Sequence, residues 1–106
     1  MVSCTCLVQA ERVSAEVEDA LRSALQAFSQ RAFGAPSELL WIVVPKGSGF
    51  TAAQPSRTSV VSMRAPTKLQ QSVREALLRE LCALWTGATG CSQDEVVAVI
   101  RDPRED

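Results

Sequence analysis

The feature that most limits what this chain can fold into is a strand, helix, strand pattern that occurs twice. In the second half, from Thr58 to Asp102, a β-branched run (SVVSM) precedes Leu69, Val73, Leu77, Leu81 and Leu84, which fall at helical spacing. Gly87, Gly90 and a second β-branched run (EVVAVI) follow. The two runs are too short for helices and the spaced leucines need a period near 3.6, so the stretch reads as one βαβ unit with its helix over Thr67 to Trp85. Thr67 with Gln70 matches a capping box, in which each side chain satisfies a backbone N–H at the helix start.

The first half repeats the pattern. Val2, Cys4, Cys6 and Val8 alternate with Ser3, Thr5, Leu7 and Gln9, the period-two signature of a strand with one strongly apolar face. Ser14 is a good N-cap, and Glu16, Glu18 and Asp19 place negative charge in the early turns, where the helix dipole favours it. The stripe Val17, Leu21, Ala24 and Phe28 carries a helix to about Ala32, and Gly34 and Pro36 stop it. Leu39 to Val44 (LLWIVV) is apolar at every position, as expected of a strand buried on both faces.

These elements predict an α/β (α+β) fold in a single domain over residues 1–106: a first βαβ unit at 1–45, a polar connecting loop at 46–58, and a second unit at 59–102. The GSG in the loop lacks the fixed spacing of a phosphate-cradling turn. The charged tail, Arg101–Asp106, is expected to be partly mobile. With right-handed crossovers, both helices lie on one face of a four-stranded mixed sheet. Two helices cover only one side of strands that are apolar on both, so the other face needs cover from outside the chain. Further copies of the same chain are the simplest cover.

Composition removes several function classes. Eleven Lys and Arg against twelve Asp and Glu give a net charge of −1, and the basic residues are scattered, so the expectation is no nucleic-acid partner. No apolar run approaches the roughly 20 residues that span a bilayer, and no basic region precedes a long apolar segment near Met1. A soluble cytoplasmic protein without a membrane partner is expected. With no histidine and four cysteines that show no metal-ligand spacing, no metal and no cofactor is expected, and the thiols read as buried and free. Cys4 and Cys6, two apart on a strand, lack good disulfide geometry.

The doubled βαβ arrangement, with FGAPSELLWIVVP, the loop ending SRTSVVSM, and TGATGCSQDEVVAVIRD, resembles the tautomerase superfamily. That group includes macrophage migration inhibitory factor, malonate semialdehyde decarboxylase, cis-3-chloroacrylic acid dehalogenase and the 4-oxalocrotonate tautomerases. The resemblance covers nearly the whole chain. It implies a homotrimer with sheets inward and helices outside, acting on small carboxylate-bearing substrates by tautomerisation, decarboxylation or hydrolytic dehalogenation. It also implies a general base: an N-terminal proline whose secondary amine lies in an apolar pocket that lowers its pKa.

This chain departs from the pattern at that position, where Met1 precedes Val2 and no proline is present. A primary amine, on Met1 or on Val2 after processing, replaces a more basic and conformationally fixed secondary one, and a retained Met1 occupies space where substrate would bind. The resemblance places a carboxylate-binding arginine just after the third strand, where Arg64 stands, and Arg57 in the preceding loop is the candidate second arginine. Glu38 lies near the place of an acidic catalytic residue in some members. No tyrosine is present, and Trp41 and Phe50 are expected in the core or at a trimer interface. The functional expectation is a homotrimer without the proline base, inactive or weak as a tautomerase, that binds a small keto or enol acid near the N-terminus. The alternatives are an active isomerase or decarboxylase using the α-amine with Arg64, and an interaction scaffold or subunit of a hetero-oligomer.

Overall fold

The computed structural model describes residues 1–104; of the expected mobile tail, Glu105 and Asp106 lie outside the described residues. Strand β1 (Val2–Gln9) leads to helix α1 (Ala15–Phe33) and strand β2 (Ser37–Val44). A hairpin of β3 (Phe50–Thr51) and β4 (Gln54–Pro55) follows, then β5 (Ser59–Arg64), α2 (Gln71–Thr89) and β6 (Val96–Arg101). The main sheet has the order β2-β1-β5-β6. Its outer pairs, β1 with β2 and β5 with β6, are parallel, and the central pair, β1 with β5, is antiparallel. Each half therefore contributes one parallel pair, and the halves join at the middle of a mixed sheet.

Alternation in the strands decides which residues meet the helices. Val2, Cys4, Cys6 and Val8 are buried together with Val61 and Met63 of β5, Val96 and Ile100 of β6, Leu21, Leu25 and Phe28 of α1, and Leu81 and Trp85 of α2. Burying a side chain of this size contributes about 1.5–3 kcal/mol. Trp41 of β2 stacks on Trp85 at 6.2 Å between ring centroids, and the Arg22 guanidinium lies 5.7 Å from the Trp41 ring, so Trp41 packs half-buried against the core. All four cysteines are free, with Cys4 and Cys6 buried and Cys82 and Cys91 half-buried. The adjacent Cys4 thiol and burial hold the Cys6 thiol above its ordinary pKa, so it stays protonated.

The open face of the sheet carries the other set: Leu40, Val97 and Val99 are exposed there, with half-buried Leu7, Ile42 and Val60 between them. The expectation that LLWIVV is buried on both faces is therefore corrected for the chain itself, because only one face has helices to cover it.

Helix α1 begins as the sequence predicts. The Ser14 hydroxyl accepts from the Val17 N–H at 3.2 Å, and Gly34 closes the helix in the left-handed region at φ 68°. Helix α2 does not begin at Thr67 and does not end at Trp85. It starts at Gln71 after an N-cap, Gln70, that makes no side-chain capping bond, and it runs through Gly87 to a left-handed Gly90. Tertiary bonds replace the predicted capping box: the Leu69 N–H donates to Asp102 Oδ1 at 3.1 Å, and Arg74 donates to the Leu69 carbonyl at 3.2 Å. A capping box does form elsewhere, between Ser92 and Glu95 around a short 3-10 turn, which takes Glu95 out of the expected final strand.

The loop between the units also holds more structure than expected. It forms the β3–β4 hairpin, whose tip puts Ala52 and Ala53 at φ 52° and 60°. Phe50, expected in the core or at an interface, stands 68% exposed on that hairpin and is not part of the core of this chain.

Candidate functional site

Strand register assembles a row of four side chains across the open face. Glu38 of β2 pairs with Ser3 of β1, Ser3 with Arg64 of β5, and Arg64 with Arg101 of β6. Their neighbours Cys4, Met63 and Ile100 are buried on the helix side, so by alternation these four point the other way. The row lies at the end of the sheet where β1 begins. Met1 precedes it and is 80% exposed. Val2 is different: its side chain is buried in the helix-side core, and its N–H donates to the Pro36 carbonyl at 2.8 Å.

Arg64 is half-buried, and its Nε is buried with no hydrogen-bond partner. Burial of this group holds the Arg64 pKa below its ordinary value, and the charges of Arg101 and Arg104 lower it further. Among the described residues, none of these three arginines takes part in an ion pair. The nearby acid in sequence, Asp102, is already committed. Arg74 reaches both of its carboxylate oxygens at 3.0 Å, and with the Leu69 N–H this holds the Asp102 carboxyl below its usual pKa. Arg74 also donates to the Ile100 carbonyl at 2.9 Å, and the Ala65 N–H donates to the Arg101 carbonyl at 2.8 Å. The end of β6 is therefore fixed from both sides, with Asp102 tied to α2 and Arg101 on the open face.

Arg57 sits at the opposite end of the sheet. It precedes β5, whose length from Ser59 to Arg64 spans roughly 17 Å at the usual strand rise. There it lines a cavity of about 340 Å³ with Gln9, Arg12, Lys46 and Ser56, where Arg12 lies 3.7 Å from Glu95 and Lys46 lies 3.6 Å from Glu11. Glu95, held by the Ser92 N–H and hydroxyl and close to Arg12 and Arg57, has its pKa lowered. Within one chain, then, Met1, Arg64 and Glu38 share one end of the sheet and Arg57 lies at the other. Nothing in the sequence singles out Arg101. Alternation along β6 places it on a face, but only the β5–β6 register puts it beside Arg64.

No protein-family model matches the sequence, and no curated protein matches it either. Solved structures do. The native protein Ps01740 is 23% identical, with a TM-score of 0.86 over 95% of this chain and 93% of that one. A symmetric trimer of wild-type fused 4-OT is 16% identical, with a TM-score of 0.83 over 95% and 85%. N1, a member of the cis-3-chloroacrylic acid dehalogenase family, is 12% identical, with a TM-score of 0.85 over 95% and 74%. At these identities the likeness establishes the fold, which is the tandem βαβ arrangement these proteins share.

Proposed function

We propose that this chain, which has the tautomerase fold, is a tautomerase-superfamily protein that assembles as a homotrimer and binds a small carboxylate at the Arg64 end of the sheet, without a proline base. The observation that carries the reading is the Arg64 guanidinium: half-buried, with an unpartnered Nε and two further arginines near it. A guanidinium so placed is an electrostatic site waiting for an anion, and its planar fork matches a carboxylate. The trimer reading rests on the uncovered apolar face and on the fused 4-OT neighbour, which is itself a trimer. The four free thiols fit a reducing compartment such as the cytoplasm.

The start of β1 supports the reading that no efficient base is present. A proton-abstracting amine of this kind needs a free lone pair in an apolar enclosure. With Met1 in place the Val2 nitrogen is a peptide nitrogen, conjugated to the Met1 carbonyl and donating its N–H to the Pro36 carbonyl, and Met1 lies exposed in the single chain. Binding and orientation by Arg64 remain without an efficient proton acceptor.

Sedimentation of the intact chain is expected to give three chain masses. Phenylpyruvate binding, read by calorimetry, is expected in the wild type and lost in Arg64→Ala, while phenylenolpyruvate ketonises at the buffer rate. A wild-type rate above buffer that disappears in Arg64→Ala would assign catalysis to the α-amine instead. A folded wild type that binds no 2-oxo acid overturns the carboxylate reading.

A further inference from the structure

We propose that the β3–β4 hairpin is a strap closed by one buried side chain, the carboxamide of Gln9, and that it opens as a unit, taking one wall of the adjoining cavity with it. The hairpin forms a sheet of its own with two residues in each strand, and neither strand pairs with the main sheet. A two-stranded sheet of that size has little stability of its own in water. Apolar packing does not hold it either, because Phe50, its one large apolar side chain, is 68% exposed. Its tip also places Ala52 and Ala53 at positive φ, where a side chain is strained.

What holds the hairpin is Gln9, at the end of β1 and only 4% exposed. Its Oε1 accepts from the Gly47 N–H at 3.1 Å and its Nε2 donates to the Ser56 carbonyl at 2.6 Å, so one side chain grips both legs of the strap. Among the described residues, no other side chain outside 45–58 hydrogen-bonds to residues 47–56. A carboxamide suits this place because it offers one acceptor and one donor, to a backbone N–H and a backbone carbonyl. Gly49 makes room for it. The Ser56 N–H donates to the Gly49 carbonyl at 2.8 Å, and a Cβ on Gly49 would collide with Gln9 Nε2. Gln9, Gly47, Pro55 and Ser56 all line the cavity of about 340 Å³ at the far end of the sheet from Arg64. Release of the carboxamide frees three of these four, so the cavity keeps its floor and loses a wall. The device is independent of the Arg64 reading.

Lys46 and Arg57 flank the segment and are exposed, so trypsin reads its opening without an added probe. Cleavage of a segment held in native structure follows the population of its open form when reclosing is fast. Exposed Lys68, in the stretch before α2, serves as the internal control. In the intact chain, Gln9→Leu keeps the size of the side chain and removes both bonds. It is expected to raise cleavage at Lys46 and Arg57 at least about tenfold, the factor that the loss of two buried hydrogen bonds gives, with cleavage at Lys68 unchanged. Gly49→Ala is expected to do the same in the wild type and to add little in Gln9→Ala, because the collision it creates is with the carboxamide.

Cleavage at Lys46 and Arg57 that stays at the wild-type rate in these variants overturns the proposal. A rise that Lys68 shares equally overturns it too, since Gln9 would then support the whole fold and not the strap. Full additivity of Gly49→Ala and Gln9→Ala would mean that something other than the carboxamide closes the hairpin. Gly49→Ala, which alters only the strap, decides the same question if Gln9→Leu does not fold.

Discussion

The two faces of the sheet are built from the same strands and differ in almost every physical respect. On the helix side, alternate residues of the strands face α1 and α2, and those at the centre lose their water: Cys6, Val61 and Met63 are fully buried. On the open side, one residue along, Leu40 is 58% exposed and Val97 46%, and the row at one end consists of Glu38, Ser3, Arg64 and Arg101. The helix-covered face holds the chain together. The open face holds charge that, among the described residues, makes no ion pair, together with uncovered apolar surface, the two commodities from which binding and assembly are made. A strand with period two can serve both purposes without either constraining the other.

Substitutions that respect this division should separate the two roles. Trp85→Ala, on the covered face, removes the ring that stacks on Trp41 and is expected to cost about 3–5 kcal/mol of folding free energy, read by denaturant unfolding. A loss below about 1 kcal/mol would mean that the covered face is not the source of stability.

An intermediate effect is expected at Asp102, which ties the end of β6 to α2 while Arg101 faces the other way. Arg74 and the Leu69 N–H favour its ionised form, so its folded pKa lies below the ordinary 3.8. Its contribution is therefore complete above that value and is lost as the pH falls through the folded pKa. Unfolding followed from about pH 5 to about pH 2 should show a steeper fall in the wild type than in Asp102→Asn. Parallel profiles would show that the clamp contributes nothing.

The smallest effect on the chain's own folding is expected from Leu40→Asp, on the open face: within about 0.5 kcal/mol. The same substitution should lower the sedimenting mass toward one chain and remove any dependence of Tm on protein concentration. An unchanged mass would place the assembly surface elsewhere.

Much of this was legible because it is local. The Ser14 cap, the Gly34 stop and the alternation of β1 from Val2 to Val8 depend on residues within a few positions of each other, and each is found as expected. The start of α2 is not legible, for the complementary reason. Thr67 and Gln70 have the right chemistry for a box, but Asp102, 33 residues from Leu69, accepts from the Leu69 N–H between them, and the helix starts only at Gln71. Nothing near Thr67 in sequence announces that competition. The hairpin at Phe50–Pro55 reads as plain loop because its tip uses Ala52 and Ala53 at positive φ, where turn chemistry leads one to look for Asn or Gly.

The sequence by itself determined the order of the four main strands and two helices, the apolar face of β1, and the surplus of apolar surface over what two helices can cover. Hydrophobic period and capping are properties of short windows, and a window carries them whole. Tertiary structure alone decided that Arg101 stands beside Arg64, that Asp102 is committed to Arg74, and that Arg57 lies at the far end of the sheet. Those facts depend on the register between strands distant in sequence, and a slip of one residue would send each arginine to the opposite face.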